Sequence, residues 1–180
     1  MAKHLVLTAI GRDRPGLVAG VTDALLSSGC NVEDSSMTRL RGEFAMILLV
    51  RHPDAPVEPL RRRLDTVRDG LKLVINLREL KSAEVNPPEQ EGDSYHISVY
   101  GADTVGIVHA IAETLADRNA DITDLRTALA GTQDQPVYIM QIEALAAPDE
   151  DFEGLRSALS EAGRQLGVDV SVQRLDAVTL

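Results

Sequence analysis

Residues 11–34 read G-R-D-R-P-G-L-V-A-G-V-T-D-A-L-L-S-S-G-C-N-V-E-D, a sharp loop, the start of a helix and the return into a strand. A related stretch at residues 101–124 reads G-A-D-T-V-G-I-V-H-A-I-A-E-T-L-A-D-R-N-A-D-I-T-D. The glycines, aspartates and apolar positions of the two stretches match without a gap. A gapless match over a whole loop and helix indicates an internal duplication, and therefore two similar domains.

Each copy predicts the same order of secondary structure. In the first copy, apolar residues 5–10 predict a strand, and Leu17, Val21 and Leu25 recur at helical spacing. Residues 31–40 and 44–50 predict a hairpin, the second strand of which we interpret as covered on both faces because its apolar run is unbroken. A loop at 52–59, a helix from Leu60 to Leu71 and a strand at 73–77 complete the unit.

A strand–helix–strand–strand–helix–strand unit folds as a four-stranded antiparallel sheet with both helices on one face. The predicted class is therefore α+β, with two ferredoxin-like βαββαβ domains at residues 1–81 and 94–180. Residues 82–93 are polar, contain paired prolines and predict a linker. The extra residues of the second copy lie in its hairpin, between 130 and 135. The outward positions of the first sheet include Ala45, Ile47 and Leu49, which predicts packing against another sheet or protomer and hence a homodimer or higher homo-oligomer.

The composition excludes several classes of protein. The chain of 180 residues has a formal net charge of −10 and no tryptophan, which argues against direct binding of nucleic acid. The basic run Arg61-Arg62-Arg63 is interpreted as a solvated helix face, with a partner-protein surface as the alternative. No segment approaches the ~20 apolar residues that span a membrane. Cys30 is the single cysteine, so we expect no intrachain disulfide and a cytoplasmic location.

The sequence has no catalytic signature. The four histidines lack metal-ligand spacing, no acid–base pair is evident and Cys30 has no positioned base. The glycines at 11, 16 and 20 do not form a dinucleotide-binding fingerprint, since the helix has already begun at Gly16. We therefore expect a protein that is not an enzyme and that carries no cofactor or metal.

The loop D-R-P-G-L at 13–17, followed by G-C-N-V-E-D at 29–34, resembles the ACT family of amino-acid-sensing domains, and the resemblance covers both copies. The N-terminal part is most similar to a group of glycine cleavage system repressors that consist of two ACT domains and have no DNA-binding domain. That group acts through a partner transcription regulator. The resemblance implies the same kind of partner for this chain, with glycine or serine as the effector.

In the family, the effector lies between the first strand–helix loop and the second strand of a neighbouring ACT unit. The resemblance implies these ligand-binding residues: Asp13, Arg14, Pro15, Gly16, Leu17, Asn31 and Val32. It implies a weaker second site in the other copy: Asp103, Gly106, Ile107 and Asp121. Val105 replaces the proline there, and Asp121 replaces the asparagine. We therefore expect the first domain to bind the effector better than the second.

Elementary chemistry agrees with that assignment. Free N–H groups at a helix N-terminus attract a carboxylate, Asp13 can take an ammonium group, and the Asn31 amide can donate and accept hydrogen bonds. Asp13 and Asp103 fit equally well as simple helix caps. Two further functions stay open: a ligand-free oligomerisation module that regulates a partner enzyme, and, as the weakest alternative, an enzyme.

Overall fold

The computed structural model describes residues 2–85, 91–132 and 135–175, which form two units of the same architecture. The chain divides into Met1–Pro88 and Glu89–Leu180. The elements of the first unit are β1 Lys3–Arg12, α1 Leu17–Leu26, β2 Asn31–Leu40, β3 Glu43–His52, α2 Glu58–Leu71, β4 Val74–Glu79 and α3 Ser82–Val85. Those of the second are β5 Asp93–Gly101, α4 Ile107–Asp117, β6 Asp121–Thr132, β7 Gln135–Ala146, α5 Phe152–Leu166 and β8 Val168–Leu175.

Each unit contains one antiparallel sheet, with strand order β2-β3-β1-β4 in the first and β6-β7-β5-β8 in the second. This topology confirms the predicted α+β class. In the first sheet, Gly11 pairs with Phe44, which pairs with Arg39. At the other end of the sheet, His4 pairs with Arg51, which pairs with Asn31. The first strand–helix loop and the start of β2 therefore lie at opposite ends of the unit.

The cores follow from the alternation of strand residues and the helical spacing of apolar residues. In β1 and β3 every second side chain is buried against the apolar stripes of α1 and α2. The buried residues of the first core include Leu5, Leu7, Ala9, Leu17, Val21, Leu25, Phe44, Met46, Leu48, Val50, Leu60 and Leu64. Those of the second include Tyr95, Ile97, Val99, Ile107, Ile111, Leu115, Met140, Ile142, Leu155 and Leu159. Full burial of a large apolar side chain contributes about 1.5–3 kcal/mol.

The interpretation of residues 44–50 as covered on both faces is wrong. The strand alternates between buried and more exposed side chains, and Ile47 is 48% exposed. The helices cover one face only, so an apolar run need not be buried throughout. Ala45 and Leu49 point the same way as Ile47, as predicted for the outer face.

Several element boundaries differ from expectation. Helix α2 begins at Glu58, because Pro59 occupies its first turn, where a missing N–H is tolerated. Strand β4 begins at Val74 rather than Leu73. Residues 82–85 of the predicted linker form the short helix α3, and residue 93 already belongs to β5. Residues 86–90 of that linker lie outside the described residues.

The insertion in the second unit lengthens its hairpin. Strands β6 and β7 have 12 residues each, whereas β2 and β3 have 10 each. This confirms the position expected for the extra residues. Strand β2 forms an edge of its sheet, and all ten of its residues are exposed. Its helix-side face is therefore open to solvent beyond the edge of the helix layer.

Candidate functional site

The backbone amides at the start of α1 donate no hydrogen bond to a capping side chain. Gly16 is the N-cap residue with φ 94° and ψ −5°, a left-handed conformation that L-residues rarely adopt. No side chain caps the helix, and its first turn contains no acidic residue. The first amides of an α-helix have no intrahelical acceptor, and the helix dipole adds a partial positive charge there. This end of α1 therefore favours an anion.

A groove of about 680 Å³ lies beside this helix start. Its lining residues are Asp13, Arg14, Pro15, Gly16, Leu17, Val18, Ala19, Met37, Arg39 and Phe44. Phe44 is buried on the helix side of the sheet, and its cross-strand partner Arg39 projects from the same face. The groove is thus bounded by the first turn of α1 and by the uncovered helix-side face of β2.

Asp13 is held at the mouth of the groove and is paired with a cation. Its backbone N–H donates to the carbonyl oxygen of Gly42 over 2.8 Å, which joins the loop to the β2–β3 turn. Its Oδ2 lies 3.3 Å from Nη1 of Arg39. The Asp13 side chain is 28% exposed and that of Arg39 67%. Asp13 does not cap α1, so the simple capping alternative fails at this position.

Arg14 has a structural partner outside the groove. Its Nη2 donates to the carbonyl oxygen of Leu71 over 2.8 Å and approaches that of Gly70 at 3.5 Å. These are carbonyls of the last turn of α2, where a cation is favourable. The guanidinium of Arg14 therefore tethers the loop to α2.

Asn31 and Val32 lie far from the groove within the same unit. Asn31 begins β2 and lies level with His4 of β1, whereas the groove lies level with Arg12 at the other end of β1. His4 and Arg12 are eight strand positions apart, which at about 3.3 Å each is about 26 Å. One unit by itself therefore brings Asp13, Pro15, Gly16 and Leu17 together, but not Asn31 or Val32.

The corresponding loop of the second unit keeps the backbone and changes the side chains. Gly106 is again a left-handed N-cap, with φ 99° and ψ −4°, and no side chain caps α4. Thr104 stands at the position of Arg14, and its Oγ1 donates to the carbonyl oxygen of Ala102 over 3.4 Å, so no tether to α5 is made. Ile107 is buried in the core. Asp121 begins β6, opposite Leu145, at the far end of the sheet from this loop.

The second unit also lacks the cation at the groove position. Leu129 pairs with Tyr138, which pairs with Gly101, so Leu129 and Tyr138 occupy the places of Arg39 and Phe44. Within the described residues, Asp103 has no hydrogen bond or ion pair. Burial raises the pKa of Tyr138, and the negative charge of Asp103 raises it further. The two units therefore offer different chemistry at equivalent positions.

Sequence reasoning missed the strand half of the groove. Met37, Arg39 and Phe44 lie in the predicted hairpin strands and have no predicted role. Val18 and Ala19 lie in the predicted helix and have none either. The available signal was the alternation of β2. Once the hairpin turn is fixed at 41–42, residues 37 and 39 fall on the helix-side face next to the loop.

Other candidate chemistry is weak. In residues 2–85, 91–132 and 135–175 no group of three or more His, Cys, Asp or Glu side chains could hold a metal. The same residues contain no helix with the length and apolar character needed to cross a bilayer. Burial raises the pKa of the Cys30 thiol, which disfavours the reactive thiolate. Arg61, Arg62 and Arg63 are exposed, in agreement with a solvated helix face.

Comparison with known proteins identifies relatives for both units. The family model of the ACT domain matches residues 3–77 and again 96–173. A UPF0237 protein from Methanopyrus kandleri is 40% identical over 72 residues, which are 40% of this chain and 80% of that protein. The glycine cleavage system transcriptional repressor of Escherichia coli is 27% identical over 171 residues, covering 94% of this chain and 88% of the repressor.

The solved structures agree with the sequence relatives. The crystal structure of an unknown protein from Galdieria sulphuraria superposes with a TM-score of 0.81 and 28% identity, covering 98% of this chain and all of that one. The match of the repressor to 94% of the chain, with two copies of the ACT domain, confirms the resemblance to a tandem-domain repressor. A repressor that matches over most of its length also supports the expectation that the chain is not an enzyme.

Proposed function

The chain belongs to the ACT domain family, with two copies of the domain, and from that premise we propose that it is an amino-acid-binding regulatory protein. The observation that carries the proposal is the groove at the start of α1, where uncapped helix amides and the Asp13 carboxylate face one space. These groups have the opposite charges needed to receive a zwitterion.

The ligand would be a small amino acid, with glycine or serine as the first candidates. Its carboxylate would accept hydrogen bonds from the amides of Leu17 and Val18, and its ammonium group would approach Asp13. Pro15 and Gly16 would fix the loop so that these amides stay exposed. Arg14 would contribute by holding the loop against α2 rather than by contact with the ligand.

The groove is too large to enclose such a ligand unaided. Its volume of about 680 Å³ lies within the range of about 300–1,000 Å³ that is typical of sites for drug-sized ligands. Glycine has only five heavy atoms. A second copy of the chain, presenting Asn31 and Val32 at the start of its β2, would close the groove and supply an amide that donates and accepts. This arrangement supports a homodimer or higher homo-oligomer.

The regulatory output would be contact with another protein. The E. coli relative is a transcriptional repressor by name, and the net charge of −10 disfavours direct contact with nucleic acid. We therefore assign this chain a partner transcription regulator, bound with different affinity in the presence and absence of the amino acid. Such a difference is what couples the two binding events.

Ligand size limits the affinity. At most about 1.5 kcal/mol per heavy atom gives about 7.5 kcal/mol for glycine, which corresponds to a dissociation constant of a few micromolar or weaker. Affinity in this range suits a sensor of a metabolite that is abundant in the cell.

Isothermal titration calorimetry with glycine, serine and a panel of other amino acids tests the proposal. The wild-type chain should bind glycine or serine, and Asp13→Ala should lose most of that binding. Asp103→Ala, the matched change in the second unit, should keep it. Absence of binding for every amino acid with the wild-type chain would refute the proposed function.

One observation favours a second candidate function. Asp13 is paired with Arg39 of the same unit, as would be expected of a domain that has lost its effector. In that case the chain would be an oligomerisation module that regulates a partner enzyme or regulator without a ligand. It would keep its oligomeric state and capture that partner equally well with and without amino acids.

A further inference from the structure

Arg39 occupies an unusual place for a residue of an exposed edge strand. It projects from the helix-side face of β2 into the groove that also contains the first turn of α1. Its only partner in the described residues is Asp13, reached through one contact of 3.3 Å. Two thirds of its side chain remain exposed, so the guanidinium is free to move without disturbing the core.

We infer that Arg39 binds the carboxylate of the amino acid, and that the ligand enters by exchange with the Asp13–Arg39 ion pair. This inference rests on the proposed function and adds a residue that determines which ligands fit. The ligand's carboxylate would pair with the guanidinium of Arg39, and the ligand's ammonium group would pair with the carboxylate of Asp13. Each charge of the ion pair then gains a new partner of opposite sign.

The exchange requires little disruption of the folded chain. An exposed ion pair with a single contact contributes little to stability, because solvent screens both charges. An arginine can instead form two parallel hydrogen bonds to a carboxylate, a stronger arrangement than the existing contact. The amides at the start of α1 line the same groove and add positive potential on the side of the carboxylate.

The charges predict which compounds the groove accepts. A ligand with a carboxylate alone would meet Arg39 but leave Asp13 without a cation. An amine alone would meet Asp13 but leave Arg39 without an anion. A zwitterion satisfies both, so the preferred class is an α-amino acid with a small side chain, placed between the exposed apolar surfaces of Met37 and Val18.

The second unit provides an internal comparison. Leu129 stands in the place of Arg39 and is 50% exposed. Asp103 has no cation partner in the part of the chain that the structure describes. The second groove position thus has the carboxylate without the guanidinium, and it should bind zwitterions poorly.

Calorimetry with glycine and serine, using the tighter of the two as the probe, tests the inference with wild type, Arg39→Gln and Arg39→Lys. Arg39→Gln should weaken binding on the order of tenfold or more, because a charged hydrogen bond is lost. The affinity of Arg39→Lys for the amino acid should lie between those of the wild type and Arg39→Gln. The matched control is Arg126→Gln, which removes an exposed arginine paired with Asp124 at 3.0 Å on the corresponding strand of the second unit. It should bind as the wild type does.

Glycinamide gives a readout that depends on the carboxylate itself. It lacks the carboxylate, so it should bind the wild type weakly and lose nothing further in Arg39→Gln. Equal glycine affinity of wild type and Arg39→Gln would overturn this inference and leave the proposed function standing. Tighter binding by Arg39→Gln would also overturn it, since Arg39 would then only compete for Asp13. A wild type that binds no amino acid overturns both.

Discussion

Replacement of Gly16 by alanine isolates the role of the loop backbone. Gly16 has φ 94°, and a Cβ built there has no atom within 4 Å, so the substitution adds strain without a clash. A left-handed alanine costs about 1–3 kcal/mol. The lower entropy of the unfolded chain offsets about 0.4–1 kcal/mol of that. The midpoints of these two ranges give an expected net loss of about 1.3 kcal/mol in the free energy of unfolding of the first unit.

Gly106→Ala is the matched control, because Gly106 has φ 99° and equally open space around its Cβ. It should destabilise the second unit by the same amount. For a domain of 60–100 residues each kcal/mol corresponds to about 4–8 °C in the unfolding temperature. Differential scanning calorimetry of both variants, with each unit treated as its own transition, gives these values.

The two variants should differ in ligand binding. Gly16→Ala displaces the amides at the start of α1 and should weaken glycine binding, whereas Gly106→Ala should not. A Gly16→Ala chain as stable as the wild type would contradict the left-handed loop. Equal loss of glycine binding in both variants would contradict the assignment of the main site to the first unit.

Two further predictions follow from contacts and pKa shifts. Arg14→Ala removes the hydrogen bond to the Leu71 carbonyl and should lower the unfolding free energy of the first unit toward the lower end of about 0.5–1.5 kcal/mol, because the bond is exposed. Thr104→Ala should change the second unit by less than about 0.5 kcal/mol in urea unfolding, and equal effects of the two would contradict the tether. Burial raises the pKa of Tyr95 and Tyr138 above 10.0, so the folded second unit keeps protons that the unfolded chain releases. Its stability should therefore fall as pH rises from about 10 through the raised pKa values, and Tyr95→Phe with Tyr138→Phe should flatten that fall; an unchanged slope would contradict this origin.

Much of the fold could be predicted because its signals are local and repeated. The spacing of Leu17, Val21 and Leu25 identifies α1, and the gapless repeat transfers each assignment to the second unit. The exposed face of β3 could not be predicted from its apolar run, since composition does not say which sheet face the helices cover. Pro59 lies in the predicted loop, but proline is also common in the first turn of a helix, where its missing N–H leaves no hydrogen bond unmade.

The site was predictable in part for the same reason. Gly16 and Asp13 belong to one continuous loop, so their proximity follows from the sequence. Arg39 reaches that loop only through the register of three strands, which depends on long-range pairing. Arg14 carries a charge that suits a ligand, and only the packed chain reveals that it faces the last turn of α2. Asn31 lies at the opposite end of the first unit, so its proposed part in the site depends on a second copy of the chain.

We propose that a small amino acid binds at the start of α1 in the first unit. Nuclear magnetic resonance of the ¹⁵N-labelled chain, titrated with glycine and with serine, tests it residue by residue. We expect saturable shifts of the amides of Leu17, Val18 and Ala19, with little change at Ile107 and Val108. Shifts confined to the second unit, or none at any amide of α1 at saturating amino acid, would contradict it.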